Sequence, residues 1–176
     1  CDVEEYIGYE TENEKTLEDY LDELNNLTGM EGVKKHIMDE IKSSKIAQER
    51  ARRAGVPYSP GSLHMLLVGN AGTGKTTVAR MLGKIYSALG IISDENRFIE
   101  CGRADLVGEY LGHTAPKVKK MVESALGGIL FIDEAYSLTS ADGRDGIDSF
   151  GQEALAQLIL EIENHPTDKL VMFAGY

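Results

Sequence analysis

Eight consecutive residues, Gly69-Asn70-Ala71-Gly72-Thr73-Gly74-Lys75-Thr76, carry the pattern Gly-x-x-x-x-Gly-Lys-Thr. Three glycines in this run let the backbone wrap an anion without Cβ clashes. Successive N–H groups and the start of the following helix would then point at that anion. Lys75 would reach the β- and γ-phosphates of a nucleotide, and the Thr76 hydroxyl would ligate Mg2+, with Thr77 beside them. A glycine-rich turn without ligand is the alternative. The full spacing, with a strand before and a helix after, weighs against it.

A second run, Ile129-Leu130-Phe131-Ile132-Asp133-Glu134, delivers two carboxylates at the end of an apolar strand. Open α/β sheets bind ligands at the carboxyl ends of their strands. Asp133 would hold Mg2+, directly or through water. Glu134 would act as general base, polarising the water that attacks the γ-phosphate. Either acid alone would serve equally as a helix cap or a surface charge; the pairing after a buried strand favours chemistry. A poised water, rather than an acceptor-substrate site, argues against a small-molecule kinase. A third run, Glu109-Tyr110-Leu111-Gly112, places an aromatic, an aliphatic and a glycine on a loop. Read alone, it fits a core Tyr and Leu capping the next helix; a functional reading needs more than these four residues.

The elements that must position these residues follow from periodicity. Leu17, Tyr20, Leu21, Leu24 and Leu27 lie at helical spacing with Thr16 as N-cap. A long helix over 31–54 puts Val33, Ile37 and Ile41 on one face and stops at Gly55 and Pro57. Residues 63–68 suit a buried parallel strand. A helix over 75–89, a strand over 98–101, a helix capped by Thr114, a strand over 128–133, a loop over 137–149, a helix over 152–164 and a strand over 170–174 complete the series. Strands alternating with helices predict an α/β fold, a parallel sheet with helices on both faces in a three-layer sandwich.

Composition narrows the class. The 176 residues suffice for one domain with a sizeable core. With 18 basic and 29 acidic residues the net charge is −11, which disfavours nucleic acid as a partner. The acidity concentrates between Asp2 and Glu23, as a solvated segment or as a contact for a basic partner or neighbouring subunit. No apolar run approaches the about 20 residues that span a bilayer. Cys1 and Cys101 form neither a disulfide framework nor a metal set, and the simplest compartment is a reducing, cytoplasmic one. The first residue is Cys1 rather than Met, so the expectation is an excised or processed piece.

The stretches LTGMEGVKKHI, LLVGNAGTGKTTVAR, ADLVGEYLGHTAPKV, GGILFIDEAYSL, FGQEAL and VMFAGY resemble the AAA+ ATPases, and within them the CbxX/CfqX group that includes the red-type rubisco activases. The phosphate loop does not distinguish that group; YLGHT together with FIDEAYSL does. The resemblance implies a P-loop NTPase core, the AAA+ large subdomain without its helical lid, over residues 29–176, preceded by an acidic segment and helix over 1–28. It implies ATP or ADP with Mg2+ and a homo-hexameric ring with nucleotide at its subunit interfaces. Tyr110, Leu111 and Gly112 would form the pore loop that grips a client protein, and an aromatic there supplies contact area with few rotors to immobilise. Gly29 and Met30 would border the adenine, and Tyr176 lies near the first sensor position. The lid, the second sensor and the arginine finger are expected beyond Tyr176. A finger is worth about 10³ to 10⁵ in rate in related phosphoryl transfer. The 176 residues alone are therefore expected to bind ATP, turn it over slowly and form no stable hexamer. Two readings of the whole remain: a motor that threads or pulls a client protein, and an ATP-dependent assembly switch or scaffold that does not.

Overall fold

The structure is a computed structural model, and it describes residues 15–61, 64–70, 72–110, 112–139, 148–165 and 170–175. Helix α1, Leu17–Asn26, starts at a capping box. The Thr16 hydroxyl accepts from the Asp19 N–H, and the Asp19 carboxylate accepts from the Thr16 N–H at 2.7 Å. Helix α2, Glu31–Ala54, ends on Gly55 in the left-handed conformation (φ 66°), as its glycine predicts.

Four strands follow, β1 Met65–Val68, β2 Phe98–Cys101, β3 Ile129–Ile132 and β4 Leu170–Gly175. They pair in parallel in the order β1-β4-β3-β2. Helix α3, Lys75–Ala88, links β1 to β2. A short α4, Arg103–Leu106, and α5, Thr114–Ser124, link β2 to β3. A 3-10 turn, Ala135–Leu138, and α6, Ser149–Asn164, link β3 to β4.

The two central strands, β3 and β4, are apolar because both of their faces are covered. The edges differ: β2 carries the exposed Glu100, and β1, expected as a buried strand, leaves Leu66 and Val68 exposed at the sheet edge. Side chains alternate between the faces with period two. Ile129, Phe131, Leu170 and Met172 enter a core with α1, α2 and α3. Leu130, Ile132 and Val171 enter a second core with α4, α5 and α6. Phe98 and Phe131 stack with centroids 5.6 Å apart. Leu24 of α1, 1% exposed, sits in the first core. Its truncation to Ala would cost about 2–5 kcal/mol, the range for large buried aliphatics.

Three readings change at their edges. The first strand starts at Met65, with His64 ahead of it and Leu63 outside the described residues. The stretch read as loop over 137–149 opens inside the 3-10 turn, and α6 begins at Ser149, because Asp148 caps it by accepting from the Gly151 N–H at 3.0 Å. Residues 140–147 lie outside the described set. Thr114 does not cap α5 through its side chain; it accepts instead from the Gly108 N–H at 3.1 Å. Among the described residues no helix is long and apolar enough to cross a membrane.

Candidate active site

The phosphate loop leaves the sheet at the end of β1. Val68 pairs with Gly175, and the Gly69 N–H continues the ladder to the Gly175 carbonyl at 3.0 Å. Gly72 (φ 75°) and Gly74 (φ 83°) take left-handed conformations that side-chain-bearing residues resist. The chain turns through them into α3, whose first residue is Lys75. The Thr73 hydroxyl donates to the Asn70 carbonyl at 2.8 Å and closes the loop. The Lys75 ammonium lies over the loop, donating to Gly69 O at 2.6 Å and Asn70 O at 3.1 Å. This concave run of N–H groups at a helix N-terminus, with a lysine above it, fits a polyphosphate. Thr76 lines the same cavity. Thr77 is exposed one residue further along α3 and does not line this cavity. Ala71 lies outside the described residues.

Strand β3 brings the two acids to this loop. Asp133 N–H donates to Cys101 O at 2.9 Å, extending the β2–β3 pairing by one residue. The Asp133 carboxylate accepts from the Glu134 N–H at 2.9 Å. Glu134 is exposed and left-handed (φ 49°, ψ 42°). Such a conformation costs a non-glycine residue about 1–3 kcal/mol and survives where surroundings fix it, often at functional sites. Here Glu134 opens the 3-10 turn Ala135–Leu138. Asp133 and Glu134 line, with Gly72 to Thr76, one cavity of about 340 Å³. Thr76 and Asp133 present the hard oxygen donors that suit Mg2+. Tyr136 and Gly175 complete the lining. No motif spacing in the sequence singles out Tyr136. Its one signal is position, two residues beyond the second acid.

The segment after Glu134 is braced from α4. Arg103 Nη1 donates to Ser137 O at 2.9 Å and pairs with the carboxylate of Asp148, which in turn caps α6. The hydrogen bond from Arg103 holds the Asp148 carboxyl below the usual carboxylate range. Cys101, 3% exposed, is not a nucleophile: burial pushes its thiol up to about 12.

A second cavity, about 300 Å³, adjoins the first, since Thr73 and Lys75 line both. Its walls are largely apolar, including Met30, Val33, Leu67, Val68 and Val78. Met30 is thus placed at the cavity. Gly29 supplies the turn before it (φ 78°) and is not a lining residue.

The third motif lies apart from both cavities. Between α4 and α5 the chain folds back tightly: a Cβ on Gly108 would lie 2.6 Å from His113 Cβ and 2.8 Å from Thr114 N, which excludes any side chain there. The Lys117 ammonium ties the same base, donating to Ala104 O at 2.7 Å and Val107 O at 2.9 Å. On this clamped base Tyr110 is 66% exposed and meets His113 edge-on at 5.6 Å. Gly112 takes φ 81°. Leu111 and Tyr176 lie outside the described residues.

Known proteins share this pattern. The profile of the ATPase family associated with various cellular activities (AAA) matches residues 65–176. Stage V sporulation protein K of Bacillus subtilis is 44% identical over 154 residues, 88% of this chain and 46% of that protein. The chloroplastic ribulose bisphosphate carboxylase/oxygenase activase of Cyanidioschyzon merolae is 41% identical over 173 residues, 97% of this chain and 57% of that protein. The ESX-1 secretion system protein EccA1 of Mycobacterium tuberculosis is 42% identical over 164 residues, 93% of this chain and 28% of that protein. The chain spans about half the length of the first two. The profile match and these relatives together make the chain a member of the AAA ATPases, in their CbxX/CfqX group.

Proposed function

We propose that residues 29–176 form the ATP-binding and ATP-hydrolysing core of a protein-remodelling ATPase, with 1–28 an acidic segment and helix appended to it. The observation that carries this is the continuity of the two cavities at Thr73 and Lys75. One end is a phosphate cradle with two carboxylates, and the other is an apolar slot of a size and character that suit a base. In this reading Gly72 to Thr76 bind the phosphates through backbone N–H groups, with Asn70, Ala71 and Thr77 flanking them. Lys75 neutralises the β- and γ-phosphates, and Met30, after Gly29, borders the adenine. Thr76 and Asp133 hold Mg2+, which when bound neutralises charge developing on the phosphates. Glu134 accepts the proton of the attacking water.

At the scale of the whole protein, we propose a cytoplasmic homo-hexamer in which Tyr110, Leu111 and Gly112 line a pore and pull on a client protein, with Tyr176 as a nucleotide sensor. The names of the relatives, an activase and a secretion-system protein among them, support remodelling of protein partners. The acidic surface supports a protein client over nucleic acid.

The test is Glu134→Gln in the full-length protein. It should keep Mg-ATP affinity within about twofold, since it alters no phosphate contact, and lower kcat by about 10² or more, the usual contribution of a positioned base. Normal turnover by this variant would remove Glu134 from the role of base.

A further inference from the structure

Lys34 lies one turn into α2 and is 9% exposed. Its ammonium donates to Leu27 O at 2.6 Å, Asn25 O at 3.1 Å and Glu31 Oε1 at 3.3 Å. Three donors meet three acceptors, which is what allows a charge to sit there. Two of the acceptors are carbonyls at the C-terminal end of α1, where a cation is favoured and where α1 has no basic residue of its own. The Lys34 N–H also donates to Met30 O at 3.0 Å. That backbone bond is the first i→i−4 bond of α2, and the ammonium holds the start of the Leu27–Met30 turn through Leu27 O.

That turn holds Gly29 (φ 78°) and then Met30 (φ 60°) in the left-handed region. Among the described residues Met30 and Glu134 are the two non-glycines with positive φ, and both line the candidate nucleotide cavities. A strained backbone of this kind persists only where its surroundings over-determine it. At Glu134 the surroundings are the Asp133 carboxylate and the 3-10 turn; at Met30 they are the packing of its side chain against the first core and the Lys34 ammonium on the carbonyls that precede the turn. The Met30 methyl reaches to 3.8 Å from where a Cβ on Gly74 would lie, so the turn sets how closely this wall approaches the phosphate loop.

We propose that Lys34 is a positioning residue for the base of the nucleotide. It fixes the Met30 wall of the apolar cavity, and it touches no part of the phosphate cradle. The inference rests on the nucleotide reading of the two cavities. Its signature is selective: loss of Lys34 weakens the hold on the nucleoside and leaves the hold on the phosphates.

The experiment is calorimetric titration of Lys34→Met with Mg-ADP and, separately, with Mg-pyrophosphate. The ratio of the two dissociation constants isolates what the nucleoside adds. In the variant the pyrophosphate-to-ADP ratio of dissociation constants should fall by about tenfold, the scale of a lost charge-assisted hydrogen bond, because ADP binds more weakly while pyrophosphate affinity is unchanged. Tyr86→Phe is the control. Its hydroxyl donates to Glu40 at 2.9 Å and joins α3 to α2 away from the turn, so its loss should lower Tm and spare the ratio. Should Lys34→Met fail to fold by circular dichroism, Lys34→Gln, which keeps two donors, is read by the same ratio. A folded variant with the wild-type ratio overturns the proposal, as does an equal fall in Tyr86→Phe. If the wild type itself binds pyrophosphate as tightly as ADP, the nucleotide reading of the apolar cavity fails first, and the inference with it.

Discussion

Lys75 holds the two loop carbonyls of Gly69 and Asn70 with the ammonium that a phosphate would recruit. Those contacts keep the side chain folded over the cradle instead of loose in solvent, so little rotamer freedom is left to lose when an anion arrives. Replacement by Ala removes the one cation described among the residues lining the phosphate cavity. The backbone N–H groups of Gly72 and Gly74 stay in place. A charge-assisted contact contributes about 1.5–3 kcal/mol, so Lys75→Ala should raise the Kd for Mg-ATP by about 10- to 100-fold. Fluorescence titration of the folded variant measures it. An unchanged Kd would mean that the cradle binds through its amides alone. Residue-scale features of this kind were the most legible in the sequence. The loop Gly69–Thr76 and the pair Asp133-Glu134 are each contiguous, and their chemistry depends on residue type and local spacing. Tyr136 was not legible, because an aromatic beyond two acids is equally at home in a core.

At the scale of elements, the link that sequence reading could not supply is the contact between Arg103 and Asp148, 45 residues apart. Arg103 belongs to a one-turn helix with too few residues to show a period, and Asp148 reads as one more polar residue in a turn-rich stretch. Together they pin the 3-10 turn that follows Glu134 to the start of α6 and to the element from which the Tyr110 loop springs. Lys34 and Thr114 escaped for the same reason: each acts on a backbone group across a turn, and no pattern of apolar residues encodes that. The folding of strands and helices was legible because burial on both sheet faces writes continuous apolar runs into β3 and β4. The Arg103–Asp148 contact has a pH signature. Hydrogen bonding to Arg103 depresses the Asp148 pKa, so its contribution to stability is complete above the ordinary carboxylate value of about 4 and is lost as pH falls through the depressed one. Asp148→Asn keeps a capping side chain but loses the charge. Urea unfolding should therefore show the variant less stable than wild type at pH 7 and at pH 5, with the gap narrowing below about pH 4 as the wild-type carboxyl is protonated. A gap that stays constant down to pH 2.5 would mean that the carboxylate charge is not what braces the turn.

For the whole molecule, the arrangement separates two jobs. The candidate nucleotide cavities sit at the ends of β1, β3 and β4, while Tyr110 stands on a base clamped by Gly108, Thr114 and Lys117 and lines neither cavity. An aromatic 66% exposed on a rigid base is poor design for a core and good design for contact with a second molecule. The separation makes a prediction that divides threading from switching. Tyr110→Ala in the full-length protein should leave Mg-ATP affinity within about twofold, because exposed side chains far from a site shift free energies by about 0.5 kcal/mol or less. Combined with Glu134→Gln, which holds the ATP state, the double variant should release client protein that the single Glu134→Gln variant retains. Pull-down from the parent cells, at an ATP concentration that saturates wild type but not Lys75→Ala, with that variant as the control of weakened nucleotide binding, reads both. Client lost with Tyr110 and nucleotide affinity intact places the grip on this loop. Client retained without Tyr110 moves the grip elsewhere and favours the assembly switch, in which nucleotide sets the oligomer and the loop is a bystander. A fall in nucleotide affinity would couple the loop to the cavities.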